Sequence, residues 1–233
     1  MLSGCGHSHI ERNLLRARQC MANRLDSALR ILESLEPSEL SGRDTRAQYA
    51  VLYAEAADRA GVAAACDSLL LHAREYYRQQ PHEVRNFCRT LYYLGRGKLR
   101  QGDKPGALRQ FLEVEEHLRR IDEPRYLGLL YLRIGDIYRS ELNFIRAYRY
   151  YREARDLFVR TEDGKHTAEA LLGMTASALR MNDLARARRD CSMALELADD
   201  AHDESLAQKS LGYFATLYVV ADTVRIPEDL LRR

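Results

Sequence analysis

Apolar residues recur at three- and four-residue intervals along most of the chain, the spacing that gives an α-helix one buried stripe. Ile10, Leu14, Leu15, Ala17 and Met21 set the pattern over 9–22, and Asn23 breaks it. A second helix is predicted over 25–35, closed by Pro37, with a turn over 41–44. Helices follow over 45–60 and 64–79, with Gly61 and Pro81 as the breaks. The pattern then predicts 83–101, 104–120, 123–141, 144–160, 165–181, 184–199 and 203–222. No stretch alternates apolar and polar residues with the period of two that marks a strand. The reading is all-α, about eleven helices, with connections so short that neighbours must run antiparallel.

The second half of the chain superposes on itself when shifted by 40 residues. Ala107, Ala147 and Ala187 coincide, as do Phe111, Tyr151 and Cys191; Val114, Ala154 and Ala194; and Leu94, Ile134 and Met174. Asp103, Asn143 and Asp183 stand before each second helix. These are N-cap types, whose side-chain oxygens accept the free amide hydrogens of a first turn. The best copy reads Tyr131-x-x-Ile134-Gly135-x-x-Tyr138, then Ala147-x-x-x-Tyr151. Leu91-x-x-Leu94-Gly95 with Ala107-x-x-x-Phe111 precedes it. Leu171-x-x-Met174-Thr175 with Ala187-x-x-x-Cys191 follows, and Leu211-Gly212 opens a further unit.

This spacing resembles the tetratricopeptide repeat. The resemblance implies antiparallel helix pairs stacked as a right-handed α-solenoid. The small residue of the first helix is expected to face the alanine of the second, with the aromatic filling space toward the next helix. The likeness is specific over 83–120, 123–160 and 165–199 and looser upstream, where Leu15 and Ala28 fit one diverged unit and 49–79 another. The domain reading is an N-terminal tail over 1–8, a repeat domain over 9–222 and a C-terminal tail over 223–233. The period of 40 exceeds the usual ~34, and the family's proline after the second helix is missing, so longer helices and a different pitch are expected.

In that family the first helix of each pair lines a concave, ligand-holding face. Taking Gly95, Gly135 and Thr175 as equivalent puts Arg89, Tyr92, Arg96, Leu99 and Arg100 there in one unit, Leu129, Leu132, Asp136, Arg139 and Ser140 in the next, and Glu169, Leu172, Ala176, Leu179 and Arg180 in the last. A mixed face with a basic bias suits an extended or helical peptide with acidic groups, since arginine grips a carboxylate with two bonds. The alternative is a merely solvated face. The lysine and asparagine pattern of the carboxylate clamp is absent, and Tyr92, Leu132 and Leu172 occupy one of its columns.

Composition narrows the function classes. The 36 basic and 34 acidic residues leave a net charge of +2, without the basic excess of a nucleic-acid protein. Lysines are confined to 98, 104, 165 and 209, so the bases are nearly all arginine. That bias fits either codon usage or selection for bidentate anion contacts. The cysteines, Cys5, Cys20, Cys66, Cys88 and Cys191, are scattered, odd in number and without a C-x-x-C pair, which argues against a disulfide framework or a zinc site. No Gly-rich phosphate loop, H-E-x-x-H or G-x-S-x-G occurs. Glu115-Glu116-His117 and Asp199-Asp200-Ala201-His202 read as charged helix ends. No enzyme activity, metal or cofactor is expected.

At the start, Leu2-Ser3-Gly4-Cys5 resembles a bacterial lipobox, which implies a lipid on Cys5 and membrane attachment. The charged and apolar regions of an export signal do not stand before it. A true start further upstream would give a lipid-anchored envelope protein; otherwise the location is cytoplasmic. His7 and His9 read as solvated linker. With Asp26-Ser27-Ala28-Leu29, Leu32-Glu33-Ser34-Leu35 and Tyr92-Tyr93-Leu94-Gly95, the whole chain is similar to tetratricopeptide lipoproteins of gut Bacteroidetes. Leu206, Leu211, Tyr213, Phe214, Leu217, Tyr218, Val219 and Val220 make the 205–220 helix apolar on more than one face, so a homodimer through it is expected. The functional expectation is a non-enzymatic scaffold holding a protein or peptide, not nucleic acid. The alternatives are a glycan-capturing lipoprotein and a cytoplasmic peptide-sensing regulator. With no tryptophan, the first would have to use the 14 tyrosines, most of which sit at packing positions.

Overall fold

The computed structural model describes the backbone over residues 3–62 and 67–220, with side chains from residue 9 onward except at 37. Eleven α-helices lie in the described residues: α1 (Ser3–Cys20), α2 (Leu25–Glu33), α3 (Arg43–Ala60), α4 (Asp67–Arg78), α5 (Val84–Arg100), α6 (Lys104–Leu118), α7 (Pro124–Ser140), α8 (Phe144–Arg160), α9 (Gly164–Arg180), α10 (Leu184–Asp200) and α11 (Glu204–Val220). Short 3₁₀ turns at Pro37–Glu39 and Pro81–Glu83 lead into α3 and α5. The fold is all-α, made of tetratricopeptide-like antiparallel helix pairs. α1 begins at Ser3, inside the stretch expected to be a tail.

The chain divides into two compact units, Met1–His117 and Leu118–Arg233, where the repeat pattern led us to expect one array. In the first, each of α1 to α5 packs on its neighbour, and the first helices of successive pairs also touch, α1 with α3 and α3 with α5. In the second, α7 to α11 do the same, with α7 against α9 and α9 against α11. Ile10, Leu14, Leu32, Leu40 and Leu52 anchor one apolar core in the first unit. Cys191, Phe214, Leu217 and Tyr218 anchor one in the second.

The 40-residue period has a local cause. Helices α7 to α11 are each 17 residues long. They begin at 124, 144, 164, 184 and 204, so every link has three residues. The middle residue of four links is left-handed: Leu142 (φ 59°), Glu162 (54°), Asn182 (59°) and His202 (51°). The residue after it closes the previous helix, its amide donating to a carbonyl five positions back: Asn143 to Tyr138, Asp163 to Phe158, Asp183 to Ala178 and Asp203 to Ala198. That is the Schellman bond. The same residue caps the next helix. Asn143, Asp163, Asp183 and Asp203 accept from the amides of Arg146, His166, Arg186 and Leu206. Gly102 (φ 81°) and Asp103 do both jobs in the first unit.

Leu142 is 68% exposed, so its side chain contributes little packing. A left-handed backbone costs a β-carbon-bearing residue about 1–2 kcal/mol. Leu142→Gly is therefore expected to raise stability by about 1 kcal/mol, and Asn182→Gly by much less, because asparagine tolerates this region. Urea titration checks both; a lower midpoint for Leu142→Gly would show that the strain is absent.

Candidate ligand-binding faces

The first-helix face of the first unit is laced by ion pairs. Arg89 on α5 donates to Glu55 on α3 and to Asn86 one turn back. Arg96 grips Asp58 of α3 through Nε (3.0 Å) and Nη2 (2.7 Å). Arg100 reaches the same carboxylate at 3.8 Å. Asp58 and Glu55 are only 16% and 13% exposed at their side chains, so these pairs are partly shielded from water. Three of the four candidate residues in this unit already hold intramolecular acceptors. The fourth, Tyr92, is 6% exposed and packs with its centroid 5.7 Å from the ring of Phe111. It belongs to the core, not to the open face, because Phe111 fills the space beneath it.

Phe111 has that space because position 95 is glycine. A β-carbon there would lie 2.4 Å from the ring. The glycine thus makes room for an aromatic side chain. The second unit uses the same device twice on one ring. β-Carbons built at Gly135 on α7 and Gly173 on α9 would come within 2.7 and 2.6 Å of Tyr151. Tyr151 runs between them from α8, fully buried as a ring, and carries its hydroxyl through to the first-helix face. There it donates to Asp136 (2.8 Å) and accepts from Arg139 Nε (3.1 Å). Burial pushes the Tyr151 phenol far above its ordinary pKa, and the Asp136 carboxylate adds to the shift. Burial works against the Arg139 charge, but the Tyr151 hydroxyl and Asp136 outweigh it and hold its pKa above the usual value.

These groups line a cavity of about 350 Å³ on the α7, α9 and α11 side of the second unit. Leu132 and Leu172, buried at 1% and 6% exposure, form its floor with half-buried Ala176; Asp136, Arg139, Tyr151 and Glu169 form its polar edge, and Lys209 and Tyr213 of α11 its far wall. Glu169 also meets Arg133 at 3.6 Å. Lys209 is exposed and has no carboxylate partner among the described residues.

The structure therefore brings Leu132, Asp136 and Arg139 together in one cavity. Arg180 lies apart, exposed, with its guanidinium 5.3 Å from the centroid of Phe144. The sequence reading missed the Tyr151 hydroxyl, Lys209 and Tyr213. The 40-residue shift that aligns Glu169 with Lys209 was the available signal.

Other candidates resolve by placement. Leu206, Phe214, Leu217 and Tyr218 of α11 are buried inside the second unit. Of the residues expected at a dimer contact, Val219 and Val220 are the large apolar ones left exposed, at 80% and 51%. Cys5 and His7 fall where no side chain is described, and Cys66 lies outside the described residues. Cys20, Cys88 and Cys191 are buried thiols outside any disulfide. Burial pushes the Cys191 thiol up to about 12, which suits packing and not nucleophilic chemistry. His117 stacks edge-on against Phe87, 5.3 Å between centroids. Among the described residues no His, Cys, Asp or Glu cluster is placed to hold a metal ion, and no helix is long and apolar enough to cross a membrane.

No protein-family model and no curated protein matches the chain. Solved structures do match its fold. The aspartyl phosphate phosphatase F of Bacillus subtilis aligns at TM-score 0.76 and 15% identity, over 97% of this chain and 59% of that one. A signal-transduction ATPase of Pyrococcus horikoshii with a tetratricopeptide repeat sensor aligns at TM-score 0.71 and 15% identity, over 89% and 32%. NprR, solved in complex with its cognate peptide NprX, aligns at TM-score 0.51 and 13% identity, over 97% and 77%. The chain thus spans about three fifths and one third of the first two. At these identities the likeness is one of fold.

Proposed function

We propose that the protein is a non-enzymatic scaffold that seats an extended or helical peptide segment of a partner protein in the α7–α9–α11 cavity. One observation carries this reading: apolar Leu132, Leu172 and Ala176 sit beside Lys209, a cation without an intramolecular carboxylate among the described residues. Such a pairing suits a segment with an apolar side chain for the cavity and a carboxylate for Lys209, with Arg139 behind it. The peptide complex of NprR, on a similar fold, supports the class of ligand. The finer placement on a bacterial envelope, through a lipid on Cys5, rests on residues 2–5 alone. Incorporation of labelled palmitate, lost in Cys5→Ser, tests that part separately; wild-type protein that takes up no label removes it.

The peptide reading is tested with a display library of random short peptides panned on the purified chain. Retained sequences are expected to share an acidic and an apolar residue. Each is expected to bind Lys209→Glu about tenfold more weakly, since losing and reversing one charge contact shifts binding by about 1.4 kcal/mol or more. Arg160→Glu, an exposed change on α8 away from the cavity, is the control. No retained peptide, or peptides indifferent to Lys209→Glu, would sink the proposal.

A further inference from the structure

Six of the first unit's arginines pair with acids. Arg59 and Arg89 pair with Glu55, Arg74 and Arg78 with Glu75, and Arg96 and Arg100 with Asp58. The α1–α2 hairpin is built differently. Arg16, Gln19 and Cys20 follow one another at i, i+3 and i+4 on α1, which places them on one face. Ser27 and Arg30 share a face of α2 in the same way, and Arg24 sits in the turn between the helices. The two faces and the turn border an open concavity of about 430 Å³ lined by these residues, and no carboxylate is among its lining residues. Among the described residues Arg16, Arg24 and Arg30 have no carboxylate partner, and all three are exposed. The α2 N-terminus, whose cap position is Arg24, has no side-chain cap, and Asp26 in its first turn offsets part of the positive potential there.

Three arginines bordering one concavity with no carboxylate in its lining favour an anion that enters it. The donor set also fixes the kind of anion. Three guanidinium forks, with the Gln19 amide and the Ser27 hydroxyl, offer more donors than the two oxygens of one carboxylate can take. A phosphate group presents three acceptor oxygens and matches the planar fork bidentately. We propose that the α1–α2 hairpin is a binding site for a phosphate-bearing anion, distinct from the peptide cavity and carried by a different unit. The phosphate belongs either to a small soluble ligand or to the headgroup of an anionic lipid.

The test uses the full chain at low salt with two probes. Inorganic pyrophosphate is titrated calorimetrically, and vesicles of phosphatidylglycerol in phosphatidylcholine are co-sedimented. Wild type is compared with Arg16→Gln/Arg24→Gln/Arg30→Gln, and with Arg152→Gln/Arg160→Gln, an exposed pair in the other unit. The expected result is that wild type binds at least one probe and that the hairpin variant binds it about tenfold more weakly or worse, as the loss of three exposed charge contacts predicts. Binding of pyrophosphate identifies a small phosphate ligand; binding of vesicles alone identifies a lipid headgroup. Wild type that binds neither probe overturns the proposal. So does a hairpin variant within twofold of wild type, or a control that loses as much. Circular dichroism monitors the fold, and Arg16→Gln/Arg30→Gln, which leaves the turn intact, repeats the comparison if Arg24→Gln loosens the hairpin.

Discussion

Tyr151→Ala is expected to destabilise the second unit by about 3–5 kcal/mol, lowering its melting temperature by about 10 °C or more. The ring is fully buried, between Gly135 and Gly173, so its loss leaves a void bounded by two helices that have no side chains there to fill it. A sharper outcome comes from the glycines. In wild type, Gly173→Ala sets a β-carbon 2.6 Å from the Tyr151 ring, and overpacking of this kind costs about 1–3 kcal/mol. In the Tyr151→Ala background the clash is gone. The same substitution then gains the helical preference of alanine over glycine, about 0.5–1 kcal/mol. The sign of the Gly173→Ala effect should reverse between backgrounds. Urea melts of the four proteins in the cycle check it, and equal costs in both backgrounds would show that Tyr151 is not what reserves the space.

The same residues show how far the sequence could be read. The helices and the 40-residue period were legible because each of α8 to α11 carries its apolar stripe and its N-cap oxygen in the local sequence. The left-handed links were not, because Leu142, Glu162 and His202 stand where a glycine would have announced the turn. Gly135 was seen as a small position, but what it makes room for, the Tyr151 ring, depends on which side chain comes across from α8. The candidate face was legible as a set of offsets along first helices. Its chemistry was not, since an arginine's partner lies on another helix: Glu55 and Asp58 are 34 and 38 positions away from Arg89 and Arg96. Periodicity states which face a residue takes and is silent about what it meets there.

That silence bears directly on any mutational test of the arginine face. Arg96→Glu is expected to destabilise the first unit by about 2–3 kcal/mol, whether or not a ligand exists. The substitution removes a two-point grip on Asp58 at 2.7 and 3.0 Å and sets two carboxylates together, with Arg100 at 3.8 Å left to neutralise both. Breaking a fully buried pair costs about 3–5 kcal/mol, and side-chain exposures of 23% and 16% here reduce that through solvent screening. The exchange Arg96→Glu/Asp58→Arg restores opposite charges across α3 and α5 and should recover at least half of the loss. Thermal melts of wild type, both single variants and the exchange decide the matter. If Arg96→Glu melts like wild type, the ion pair contributes nothing and Arg96 is available to a ligand. If it melts early and the exchange recovers, Arg96 holds α5 to α3. A ligand carboxylate could then reach it only by displacing Asp58, whereas Lys209 of the second unit has no carboxylate partner among the described residues to displace.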